Sequence, residues 1–158
     1  SGSVQEITLG TNLSMSGTTL SASSGYAEQF IYAFAGSTST QTDSTNKRAV
    51  GEFYFDPTDT ALGTSGTSTA TLEVTISTSS AGNTVNCDLI RLTGSGSPTV
   101  VGTVTPSAST TSVLATATVS TAFRPTGTAG IFAVRIWLTT NNGTDYATCT
   151  SARVRLVP

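Results

Sequence analysis

An all-β fold, an antiparallel β-sandwich of jelly-roll or immunoglobulin-like outline, is predicted by three features of the sequence. Apolar residues alternate with polar ones in short runs and do not recur at helical spacing. Thr, Val, Ile and aromatic residues fill those runs. Clusters of Gly, Ser, Asn and Pro interrupt them about every ten residues, the spacing of strand plus turn in a sandwich. With 158 residues the chain can bury a core of its own, and a hydrophobic fraction of 37% favours folding over disorder although only 10% of residues are charged.

The elements follow in order. Residues 4–20 read as two or three very short strands, with Ile7 and Leu9 alternating, then Leu13 and Met15, separated by Gly10-Thr11-Asn12 and Gly17-Thr18. An isolated hairpin is at best marginal in water. Residues 1–24 are therefore expected to form a β-hairpin-like appendage to a sandwich domain at 25–158, and to cover Ile7, Leu9, Leu13 and Met15 against neighbouring chains. Residues 26–35 (YAEQFIYAFA) fit a buried strand or one short helix, with the strand favoured. Residues 36–48 carry no apolar side chain and read as an exposed loop or as the boundary between appendage and domain. Residues 49–55 place Phe53 and Phe55 on one face, and Asp56-Pro57 ends that strand. In residues 69–78, Ala70, Leu72, Val74 and Ile76 face one side, and Thr71, Glu73, Thr75 and Ser77 the other. Further strands are expected at 84–92, 99–104, 112–120, 131–140 and 148–157.

The last two strands flank Asn141-Asn142-Gly143-Thr144, and a hairpin about that turn would set Trp137 opposite Cys149 and Arg135 opposite Ser151. Phe132, Val134, Ile136, Leu138, Ala152, Val154 and Leu156 then form a core face. The other face gathers Arg135, Trp137, Cys149, Arg153 and Arg155. This surface, with its lone tryptophan and three arginines, is the expected ligand or subunit-contact site. Tryptophan stacks on a sugar ring and arginine pairs with hydroxyls or an acidic sugar, but the same residues are enriched at interfaces and in intrachain packing.

The remaining candidates are weaker. There is no histidine, so Ser-His-Asp, Cys-His and histidine metal chemistry are excluded within this chain. A net charge of -2 argues against nucleic acid as a partner, and no apolar run reaches the roughly 20 residues needed to cross a bilayer. The opening SGSVQEITLG has neither the basic nor the apolar stretch of a secretory leader. A Cys87–Cys149 disulfide would stabilise by about 4 kcal/mol, but strand parity puts Cys87 inward and Cys149 on the arginine face, favouring free thiols. Asp56 and Asp59 with loop carbonyls could hold calcium, whereas Asp56 closing a turn is the simpler reading. No other cofactor is expected. Asp88 and Glu73 read as solvated strand exteriors. Gly94-Ser95-Gly96-Ser97-Pro98 reads as a hairpin loop, since no helix follows it to build a phosphate cradle.

The segment ITLGTNLSMSGTTLSA at residues 7–22 resembles the element ITLGTGLSLSGTTLSA of tail-fibre and other virion proteins of tailed bacteriophages, with Asn12 in place of a glycine. Residues 49–158, through TATLEVTIST, TVNCDLIRLTG and FAVRIWLTTNNG…CTSARVRLV, are similar to a β-sandwich module of phage structural proteins and some bacterial surface proteins. The resemblance implies a non-enzymatic virion structural or accessory protein, a tail fibre or capsid decoration. Its expected partners are further copies of itself, with a trimer favoured, other virion proteins and a host-surface glycan. The alternative is a secreted carbohydrate-binding module or surface adhesin. The resemblance carries no catalytic residues.

Overall fold

The structure is a computed structural model that describes residues 13–16, 19–22, 28–58, 69–92, 97–124 and 127–157. β1 (Leu13–Ser16) and β2 (Thr19–Ala22) pair antiparallel, with Met15 opposite Leu20, as a two-stranded sheet of their own. Ile7 and Leu9 lie outside the described residues, and Leu13 and Met15 are described only as backbone on β1.

Eight further strands form the sandwich: β3 (Gln29–Thr40), β4 (Arg48–Phe55), β5 (Thr69–Thr78), β6 (Val85–Leu92), β7 (Thr99–Thr103), β8 (Val113–Thr118), β9 (Gly130–Leu138) and β10 (Ala147–Val157). They make two four-stranded antiparallel sheets, in the orders β3-β10-β5-β8 and β4-β9-β6-β7. The chain crosses from one sheet to the other at every connection except β6 to β7. Two sheets of four interleaved in this way are the jelly roll.

Strand periodicity explains the core. Ala70, Leu72, Val74 and Ile76 of β5 and Ala152, Val154 and Leu156 of β10 face Val85, Cys87 and Leu89 of β6 and Phe132, Val134, Ile136 and Leu138 of β9, all buried. At one end Phe55, Phe123 and Phe132 pack with ring centroids 4.7–5.1 Å apart, and Phe53 stacks on Phe132 at 5.5 Å. A 3-10 turn, Ser120–Phe123, brings Phe123 into that cluster. The Ser120 hydroxyl accepts from Ala70 N at 3.0 Å and holds the turn to β5.

Two expectations are corrected here. β3 continues to Thr40, so residues 36–40 are not loop: β10 supplies a ladder partner as far as Ala147 opposite Thr40. The serines and threonines of this stretch lie on an edge strand, where an apolar face is not demanded. The second correction concerns β9 and β10, which are not a hairpin but belong to opposite sheets. Each end of their connection is tied to its own sheet. Leu138 N donates to Thr42 O at 2.8 Å and Thr139 N to Thr84 O at 2.9 Å, while Ser79 N donates to Tyr146 O at 3.0 Å. Asn83 Nδ2 donates to Thr140 O at 2.7 Å and pins the loop between them.

A bulge at Thr150 also resets parity in β10: Cys149 pairs with Ile76, and Ser151 with the next residue, Thr75. Cys149 is thereby turned into the core with Cys87 and away from the arginines, and both thiols are free and buried. Burial pushes the Cys149 thiol up to about 11 and the Cys87 thiol well above its ordinary value.

Candidate functional site

Because β9 and β10 lie in different sheets, the expected single arginine face does not exist. Arg135 and Trp137 point outward from β4-β9-β6-β7, and Arg153 and Arg155 point outward from β3-β10-β5-β8, on the far side of the molecule. Each pair is instead completed by a carboxylate that the sequence reading left as solvated exterior.

On the first face, β6 sets Asp88 directly opposite Arg135 of β9. Asp88 is 1% exposed, and Arg135 holds it through two parallel hydrogen bonds, Nε to Oδ1 at 2.9 Å and Nη2 to Oδ2 at 2.7 Å. Lys47, from the segment entering β4, donates to Asp88 Oδ2 at 3.0 Å, and its ammonium sits 3.8 Å from the centroid of the Trp137 ring. Trp137 is only 9% exposed, so its ring has little face left for a sugar. Further along this sheet, Tyr54, Ile131 and Leu92 are neighbours across β4, β9 and β6, and all three are exposed.

On the second face, Arg153 of β10 lies between Tyr32 of β3 and Glu73 of β5. It donates through Nε to Glu73 Oε2 at 2.7 Å and through Nη1 to the Tyr32 hydroxyl at 3.2 Å, and its guanidinium carbon is 4.2 Å from the Phe30 ring centroid. Tyr32 and Glu73 together hold the Arg153 guanidinium above its ordinary pKa. Arg155 Nη1 donates to Glu28 Oε1 at 3.0 Å. Its Nε is 2.9 Å from Glu73 Oε1 but not aligned as a hydrogen bond, so that contact is purely ionic. Glu73 is buried, whereas the two arginines keep 34% and 39% of their side chains exposed. Phe30, Tyr32 and, on β8, Leu114 stand exposed on the same face.

The remaining candidates resolve locally. Asp56 Oδ1 accepts from Thr58 N at 2.9 Å and from its hydroxyl at 2.7 Å, which closes a turn and lowers the carboxyl pKa. Asp59 lies outside the described residues. Among the described residues no three His, Cys, Asp or Glu side chains gather as a metal site, and no helix is long and apolar enough to cross a membrane.

Comparison with solved structures finds this architecture elsewhere. VP2 of infectious bursal disease virus, in its subviral particle, superposes with a TM-score of 0.51 at 13% identity, over 97% of this chain and 36% of that one. The T=1 particles derived from the same virus give 0.52 at 12% identity, over 98% and 36%. The chain has the fold of a virus-particle protein. It spans about a third of the length of those proteins, and at this identity the likeness concerns fold alone. No family model and no curated protein matches the sequence.

The missed residues, Asp88, Glu73, Lys47 and Tyr32, did leave one signal. Asp88 is flanked by Cys87 and Leu89 in a largely apolar strand, and an acid buried in such a strand needs a cation opposite it. Assigning that cation required the strand order.

Proposed function

We propose that this chain is a non-enzymatic structural or accessory protein of a virus particle, a tail fibre or capsid decoration, that works as a homo-oligomer with three copies favoured. The jelly-roll strand order supports the structural role, since the same architecture builds virus-particle proteins of otherwise unrelated sequence. The observation that carries assembly is the outer face of β3-β10-β5-β8. There Phe30 and Tyr32 stand exposed beside Arg153 and Arg155, and Tyr and Arg are residue types that anchor protein interfaces. The N-terminal residues Ile7, Leu9, Leu13 and Met15 offer a second contact to neighbouring copies. Sites on the virion and in the extracellular medium suit such a role.

The mass of the full chain in solution tests this reading. An oligomer is expected at micromolar concentration, with Phe30→Ser plus Tyr32→Ser, or deletion of residues 4–20, shifting it toward monomer. A full-length monomer at that concentration contradicts the proposal. The second reading, a carbohydrate-binding module of a secreted protein, is favoured by one feature, a cleft at Arg91.

A further inference from the structure

A cleft of about 390 Å³ opens where the sandwich ends, lined by Arg91 at the end of β6, Thr99, Val100 and Val101 of β7, Thr121 and Ala122 of the 3-10 turn, and Gly127 and Thr128 before β9. This volume is within the ~300–1,000 Å³ range of small-molecule sites, at its lower end. Four of the cations, Lys47, Arg135, Arg153 and Arg155, are taken by Asp88, Glu73 and Glu28. Arg91 has no ion-pair or hydrogen-bond partner among the described residues, and neither do the side chains of Thr99, Thr121 and Thr128.

Local structure holds Arg91 in place. Its β6 position is opposite Thr99 on one side and Phe132 on the other, and its Cγ and Cδ run along Gly130, 3.5 and 3.6 Å from where a β-carbon there would stand. On the opposite wall Gly127 N donates to Arg124 O at 2.7 Å. A β-carbon at Gly127 would collide with the Ala122 carbonyl oxygen, so this position requires glycine.

We propose that this cleft binds a carboxylate-bearing sugar. A planar guanidinium with no partner among the described residues receives a carboxylate through two parallel hydrogen bonds. The hydroxyls of Thr99, Thr121 and Thr128 match sugar hydroxyls, and Val100, Val101 and Ala122 match the C–H face of a pyranose. A dianionic phosphate fits less well, because Arg91 is the one cation among the described lining residues and the Gly127 amide is already committed to Arg124. The site goes beyond the assembly role and does not depend on it, since binding is read on the protein in whichever oligomeric state it adopts.

The experiment is a titration of the full, isotope-labelled chain with glucuronate, followed by amide shifts, with glucose and acetate as separate arms. A shallow cleft predicts dissociation constants on the order of millimolar. Glucuronate is expected to move residues 91, 99–101, 121–122 and 127–128, with glucose and acetate each weaker by about tenfold or more. Arg91→Gln, which keeps the stem along Gly130, is expected to weaken glucuronate by a similar factor. Thr121→Trp, at an exposed position, plugs the cleft without changing charge and should abolish the shifts. No shift at these residues, shifts that survive both variants, or glucose or acetate binding as tightly as glucuronate overturns the proposal.

Discussion

The two outer faces of the sandwich use the same chemistry and close it differently. Each has a buried acid on an interior strand, Asp88 or Glu73, held by an arginine directly across the ladder and by a second cation. At Asp88 the second cation is Lys47, which caps Trp137, and Arg135 and Lys47 are only 18% and 23% exposed. At Glu73 the supporting groups are Phe30 and Tyr32 of an edge strand, and the arginines remain over a third exposed. Burial of the cations, not their number, separates an ion cluster that stabilises the fold from one that is available to a partner. An isolated buried charge costs several kcal/mol, whereas an exposed pair contributes about 0–1 kcal/mol.

The largest effect is expected from Asp88→Ala. It leaves Arg135 and Lys47 without their shared acceptor in a nearly closed site and should cost about 3 kcal/mol or more, measured by denaturant unfolding. An unchanged midpoint would make the two faces equivalent. Trp137→Ala should follow at about 2–3 kcal/mol with no change in oligomeric state, because the ring packs beneath the Lys47 chain and is nearly covered.

The core thiols between the faces supply a pH test. Both have folded pKa values raised above the unfolded value near 9.0, so their contribution is complete below pH 9 and lost as pH climbs through the folded values, about 11 for Cys149. Stability should fall by up to about 1.4 kcal/mol per pH unit per thiol from pH 9 upward, and Cys149→Ala should flatten the slope. Cys87 adjoins Asp88, so its labelling by a thiol reagent at pH 8 should accelerate in Asp88→Ala and stay slow in Glu73→Gln. Glu73→Gln itself is expected to cost about a third or less of the Asp88→Ala loss, since its arginines rehydrate in place. Tyr32→Ser should change stability by no more than about 0.5 kcal/mol while weakening association. Equal losses at Glu73 and Asp88 would remove the distinction between the faces.

Strand identity was legible because alternation is local. Residues 69–78 are β5 to the residue, and the inward set of β9, with that of β10 beyond Thr150, is the one the pattern predicts. Sheet membership was not legible, for a physical reason: two strands with matching apolar faces can lie side by side or face each other across a core, and parity is identical in both. Trp137 and Arg153 were therefore read together although the core separates them. A bulge at Thr150 leaves no mark in composition either, which is why Cys149 was assigned to the wrong side. The cleft at Arg91 depends on the same unreadable quantity, since the 3-10 turn reaches β6 and β7 only through the jelly-roll crossings.

The difference between the faces is tested most directly by two double-mutant cycles under one set of conditions, Asp88→Asn with Arg135→Gln and Glu73→Gln with Arg153→Gln. The sealed cluster should show the larger coupling energy, with the Glu73–Arg153 value nearer that of a surface pair and falling further in high salt. Equal couplings, or a larger one at Glu73–Arg153, would contradict the assignment of one face to the fold and the other to partners.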